Sequence, residues 1–220
     1  MTNIRKDDRL MAILSIWGII LVVIGHSGFT SPDIANRLSI FHQWIYTFHM
    51  PLFFFISGYL YSLTNRSFQQ VDNGRFIAKK FNRLLTPYFV LGVVIFIIKY
   101  VFANLSTADR IFSIDSFLYM FIAPQAPNST MGFLWYLITL FVIFLIVRAI
   151  SWMRLNLKSN INCLFIIALS WIAELFLPRI TFLNISGVLW YLPFFICGIL
   201  FQFNIRNKVI WGGVSHWCSA

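Results

Sequence analysis

Charge is what this chain has least of, and acidic charge least of all. Only 11% of its 220 residues are charged, and Asp plus Glu number 7 against 17 Lys plus Arg. Soluble domains carry about 25% charged residues. With 59% of residues hydrophobic and 19% aromatic, a soluble fold of this length cannot hide its apolar surface, and that class is excluded. Cysteine is nearly as scarce. Cys163 and Cys197 fall inside apolar runs and Cys218 lies near the end, which leaves no disulfide framework and no zinc-site spacing. They read as packing or incidental residues, and no metal is expected. Heptads, solenoid periods and low-complexity tracts are missing too, which removes coiled coils and repeat arrays.

What fills the chain is apolar length. Six segments, at about 10–28, 44–63, 85–103, 133–153, 161–178 and 187–204, approach or reach the roughly 20 residues a bilayer crossing needs. The basic residues between them alternate in density. Arg5, Lys6 and Arg9 precede the first segment, and Arg66, Arg75, Lys79, Lys80 and Arg83 lie between the second and third. Arg148, Arg154 and Lys158 flank the fourth-to-fifth connection, and Arg206 and Lys208 follow the sixth. The other loops hold only Arg37, Arg110 and Arg179, with Lys99 left inside the third segment. The positive-inside rule then predicts an all-α, polytopic helical bundle of about six crossings with both termini cytoplasmic. A net charge of +10 would point to nucleic acid in a soluble domain. In short clusters between apolar segments it fits topology and anionic lipid instead, and no nucleic-acid partner is expected.

The first segment has the charged start of a signal peptide but runs to His26 without a small-x-small cleavage site, so an uncleaved first helix is expected. Within the 105–131 loop, Ile111 to Ala123 is apolar yet too short to span, and it breaks at Pro124 and Pro127. An interfacial or re-entrant segment on the outer side fits. Asn-x-Ser/Thr triplets begin at Asn65, Asn104, Asn128 and Asn184. They fall on both predicted sides of the membrane, as chance triplets do.

Two histidines stand out. His49 lies inside FHMPLFFFISGYLY, Phe48 to Tyr61, and an imidazole carried into hydrocarbon marks a functional site by default. His26 closes the first segment in GIILVVIGHS, about 24 Å up a helix starting near Leu10, while His49 lies about 8 Å into a helix entering from the outer side. Both then sit near the outer interface. One reading is a general base facing a buried cavity; the other is a chance pair of interfacial histidines. Arg75, Lys79 and Arg83 recur every fourth residue and share a helix face, with Lys80 beside them. Such a face can meet phosphates through charge-assisted hydrogen bonds, or it can simply set topology. Pro87 near a helix start is structurally cheap. Ser57-Gly58 reads as a close helix approach rather than a nucleophile. Glu174 is either a second intramembrane acid or a side chain reaching out toward Arg179.

FHMPLFFFISGYLY and ILVVIGH, Ile20 to His26, resemble signatures of the membrane-bound acyltransferase 3 family. The basic run into LLTPY, Leu84 to Tyr88, is similar to the family's basic segment, and GFLWYL, Gly132 to Leu137, looks family-like, although Trp and Tyr there also serve as interface anchors. The resemblance covers residues 10–90 best and weakens through 137. It implies O-acyl transfer, most simply acetyl, from cytoplasmic acyl-coenzyme A to a hydroxyl of an envelope polysaccharide or lipid-linked sugar, in a bacterial inner membrane. The donor is a substrate, and no cofactor is expected to stay bound. The catalytic role carries over to His26, with His49 as partner or alternate, and donor binding falls to Arg75, Lys79, Lys80 and Arg83. The family's Arg or Lys eleven positions before that histidine is Ser15 here. Family members are generally longer, and the terminal WGGVSHWCSA reads neither as helix nor as a charged tail, so a truncated, inactive member is a rival expectation and His216 receives no role. A transporter or flippase component is the other rival, although His26, His49, Lys99 and Glu174 make no continuous polar track.

Overall fold

The computed structural model describes residues 2–26, 32–64, 72–102, 134–153, 155–157 and 159–215. Among these residues every regular element is helical: α1 (Thr2–His26), α2 (Pro32–Thr64), α3 (Asn73–Lys80), a π turn (Phe81–Leu85), α4 (Thr86–Phe102), α5 (Trp135–Trp152), α6 (Asn160–Phe176), a 3-10 turn (Phe182–Asn184) and α7 (Ile185–Ser215). Three helical stretches, Asn73–Ile98, Trp135–Trp152 and Phe182–Asn204, are long and apolar enough to cross a membrane; Met11–Gly25 and Asn160–Phe176 are shorter apolar helices. Their outward faces are hydrocarbon. Ile16, Trp17 and Val23 on α1, Val90 and Ile97 on α4, and Phe165, Leu169 and Leu175 on α6 are all exposed, an arrangement that suits lipid and not water. The chain is an integral membrane protein.

Several helices outrun the apolar segments that announce them. α2 starts at Pro32 and takes in Asp33, Asn36 and Arg37, because helical hydrogen bonding continues into polar sequence where hydropathy falls silent. α7 continues to Ser215, so the first residues of the terminal string, read as neither helix nor tail, are helical. The predicted segment at 111–123 and the whole 105–131 loop lie outside the described residues.

The chain divides into two compact units. The first joins Met1–Arg66, Leu157–Cys163 and Pro193–Ala220. Here α1 meets α2 through a core of Met11, Ile56 and Tyr59, with Leu14, Leu52, Phe55 and Leu63 against it. Gly18 lets the Phe53 ring come close: a Cβ there would lie 2.9 Å from Phe53 Cζ. Glycine matters more between α2 and α7. A Cβ on Gly58 would collide with the carbonyl of Phe195, and one on Gly198 with that of Phe55. The two backbones therefore touch, as small residues allow at membrane helix crossings. Around this crossing Phe55 tilts on Phe201 at 5.4 Å and Tyr61 on Phe195 at 5.8 Å. The buried hydroxyl of Ser62 donates to Gln202 Oε1 at 2.8 Å.

The second unit joins Ser67–Asn156 and Leu164–Leu192. Asp72 caps α3, its carboxylate accepting the backbone N–H of Arg75 at 3.3 Å. The helix then widens into the π turn and runs straight into α4. Pro87 explains this: it has no N–H to give, and its ring would press on the carbonyl of Arg83 in an α-helical register. The wider turn closes with Thr86 N–H on the carbonyl of Phe81, opening room for the ring. The start expected for this helix at 85 is thus an interior register change. Tyr88 and Ile138 join α4 to α5, with Leu134, Leu137, Val142 and Leu183 against them. Pro193 likewise withholds a donor from the carbonyl of Leu189, and the Ser170 hydroxyl supplies one at 2.6 Å. That repair suits a medium without water.

Candidate functional site

The first unit holds His49, 2% exposed on α2. Its Nδ1 lies 2.7 Å from the carbonyl oxygen of Ile45, one turn back. A carbonyl can only accept, so in the neutral ring Nδ1 carries the hydrogen and donates it. The lone pair then belongs to Nε2. Backbone geometry thus fixes the tautomer of a buried imidazole, which is what a general base requires of its surroundings. The neighbouring Trp44 and Phe48 point the other way, exposed and stacked at 5.8 Å with 10° between their planes. His26 is the last residue of α1; its side chain lies outside the described residues, as does that of Lys99. Ser15, standing where a basic residue was expected, turns its hydroxyl onto the carbonyl of Met11 at 2.8 Å. It is spent on its own helix.

The second unit holds the basic run, and the structure divides it. Arg75 and Lys79 on α3 and Arg83 on the π turn are exposed. Lys80 turns inward, its Nζ 3.6 Å from the centroid of Phe144 and 5.6 Å from that of Phe76. These are cation–π distances. A residue the sequence reading left as a topological charge joins it. Arg148 on α5 places its guanidinium carbon 5.4 Å from the same Phe76 ring, and its Nε donates to Asn73 Oδ1 at 2.7 Å. The available signal was that Arg148 is the lone charge in the eighteen residues of α5, and an intramembrane charge is a site by default. Its partner Asn73 lies 75 residues away and could not be read locally.

Near the other end of α5, Asn184 is 2% exposed and donates from Nδ2 to Thr139 Oγ1 at 2.7 Å, while Thr139 donates to the carbonyl of Trp135 at 2.9 Å. Trp135 packs on Tyr191 at 5.3 Å, so the described part of GFLWYL makes a packing contact. Glu174 is half-buried on α6 and Arg179 is exposed beyond it. Among the described residues no group of three or more His, Cys, Asp or Glu could hold a metal ion.

The class so defined is an all-helical membrane protein with a buried, oriented imidazole and a cationic helix backed by aromatic rings. Within that class the chain belongs to the acyltransferase 3 family, whose Acyltransferase domain matches residues 13–215. It is also 31% identical over 204 residues to the Nodulation protein NolL of Mesorhizobium japonicum, covering 88% of this chain and 48% of that protein. The chain spans about half the length of the curated relative it matches. No solved structure matches it.

Proposed function

We propose that the chain performs O-acyl transfer from acyl-coenzyme A, most simply acetyl, to a hydroxyl of an envelope polysaccharide or lipid-linked sugar in the bacterial cytoplasmic membrane. Family membership supports the reaction type. The observation that carries the chemistry is the buried His49 ring held by Ile45, with Nε2 as its basic nitrogen. A sugar hydroxyl is a poor nucleophile, and a neutral imidazole can take its proton as the oxygen attacks the thioester carbonyl. The coenzyme thiolate leaves, and the acyl group ends on the sugar oxygen. His26 is the preferred base and His49 its partner or alternate. Arg75, Lys79, Lys80 and Arg83 receive the donor's phosphates. Six crossings with cytoplasmic termini bring the donor to the basic side and the acceptor to the outer side.

The test is the acyl content of the envelope glycan in cells producing wild type or variants. His26→Ala lowers transfer by about a hundredfold to ten-thousandfold, the usual worth of a general base, with membrane insertion intact. His49→Ala does less harm. Full acylation with both histidines replaced overturns the mechanism.

A further inference from the structure

We infer that the exposed side of α3 and the π turn is a binding face for anionic phospholipid, with Arg75, Lys79 and Arg83 on headgroup phosphates and Ile77 and Phe81 on the adjoining acyl chain. The inference goes beyond the donor reading, which gives the same cations to a soluble ligand. It starts from length. The helical stretch Asn73–Ile98 has 26 residues, which makes it about 39 Å long, whereas the hydrocarbon layer is about 30 Å thick. An excess of about 9 Å, or some six residues, therefore lies among the headgroups. All charges of the stretch fall between Arg75 and Arg83, so the excess belongs to the Asn73 end, since charges leave hydrocarbon first. Arg75 and Lys79 then stand at headgroup level and Arg83 at the hydrocarbon edge.

What lies beside the cations chooses the partner. Arg75, Lys79 and Arg83 are exposed and recur at four-residue spacing, about 6 Å apart along the axis. Asp72, the nearest acid in the chain, is turned to the backbone N–H of Arg75, where it caps α3. Ile77 and Phe81 are each 41% exposed, although Phe89 and Phe141 hold the Phe81 ring at 6.3 Å. The two are one helical turn apart and form one patch. A helix end meant for water has no use for two large apolar side chains in the open. A soluble phosphate gains little from them either. A phospholipid gains from both halves of the face, because it carries an anionic phosphate and hydrocarbon in one molecule. A cationic head beside an apolar surface matches that pairing.

The experiment measures which lipid the full chain retains. Protein in mixed micelles with equal phosphatidylglycerol and phosphatidylcholine is washed on an affinity column, and the lipid eluting with it is quantified by mass spectrometry. Wild type should retain phosphatidylglycerol in clear excess, and the excess should fall as salt is raised. One cation near an anionic surface is worth about fivefold, so Lys79→Gln, at an exposed position, should lower the excess by about that factor. Ile77→Ser with Phe81→Ser is the decisive variant. It keeps every charge and should still lower the excess severalfold at an unchanged thermal midpoint. An unchanged excess there would leave only bulk attraction between charges and overturn the face, as would equal retention of the two lipids by wild type. Displacement of the phosphatidylglycerol by equimolar glycerol phosphate would also overturn it, because the site would then be one for soluble phosphate. Coenzyme A binding in phosphatidylcholine alone is read separately, in wild type and in the triple variant Arg75→Gln, Lys79→Gln, Arg83→Gln. Loss of coenzyme A binding in the triple variant, with no lipid preference in wild type, would overturn the lipid face and leave the donor reading intact. Loss of the lipid preference with coenzyme A binding unchanged would uphold the face and remove these three cations from the donor reading.

Discussion

Around α2, helices meet backbone to backbone. Gly58 rests on the carbonyl of Phe195, Gly198 on that of Phe55, and the buried polar groups there, Ser62 with Gln202 and His49 with Ile45, are joined by hydrogen bonds in which neither partner need be charged. Around α5, elements meet through side chains. Lys80 and Arg148 lie against Phe76, Phe144 stacks beneath Lys80, and Phe81 meets Phe141 edge-on at 6.3 Å. The difference lies in tolerance. A backbone contact has no rotamer to give, so its geometry is all or nothing, while rings and long cationic stems can shift by fractions of an ångström. The unit carrying the imidazole is therefore the more rigidly packed of the two. The unit carrying the cations is the more accommodating.

The contrast is broken most directly at Gly58. Gly58→Leu puts side-chain atoms where the Phe195 carbonyl lies, and relief requires α2 and α7 to separate along the whole crossing. Overpacking of this kind costs about 3 kcal/mol or more, a large share of an ordinary stability of about 5–15 kcal/mol. The readout is monodisperse yield in mild detergent and the midpoint of thermal unfolding. Gly74→Ala is the control, because the nearest atom to a Cβ there is Asp72 Oδ2 at 3.4 Å, ordinary contact. If Gly58→Leu and Gly74→Ala behave alike, α2 and α7 do not touch as described.

The same comparison is sharpened at Phe144, 6% exposed under Lys80. Phe144→Leu removes the ring face and part of the packing volume but leaves neighbours that can close in. A graded loss of about 1–2 kcal/mol is expected, measured as a shift in the unfolding curve without loss of yield. A collapse as complete as that of Gly58→Leu would show that the two units are equally unforgiving.

What could be read from the sequence follows the range of the interaction. Apolar runs mark the middles of the helices because hydrophobicity is local. They miss the polar beginning of α2 and the continuation of α3 into α4, since a π turn forced by Pro87 has no hydropathic signature. Gly58 next to Ser57 announced a close approach. Gly198, its reciprocal partner, sat unremarked in an apolar run, because glycine alone does not say what it faces. The site residues divide similarly. His49 was conspicuous as an imidazole in hydrocarbon, but its tautomer depends on a carbonyl one turn away. Arg148 was visible as a charge, but its hydrogen bond to Asn73 on another helix was not. Arg75, Lys79 and Arg83 were expected on one face with Lys80 beside them, and the turn inward of Lys80 required knowing where Phe144 lies.

The smallest effect is expected in the turn leading into α7, and its sign is the test. Leu183 and Asn184 both adopt left-handed backbone angles, φ 48° and 54°. Asparagine tolerates this, and Asn184 is further held by its bond to Thr139; leucine does not, and the conformation costs it roughly 1–2 kcal/mol relative to glycine. Its side chain recovers part of that by packing against the Tyr88 and Ile138 core. Leu183→Ala should therefore lose the packing and keep the strain. Leu183→Gly loses the packing but also the strain, so it should be the more stable of the two by about 1 kcal/mol. In a helix or at an ordinary turn position the order is reversed, because alanine restricts the unfolded chain and glycine does not. Unfolding curves of the two variants, taken side by side in the same detergent, decide it: alanine above glycine would mean that Leu183 does not occupy the left-handed region, and that the turn is held by the Asn184 to Thr139 bond alone.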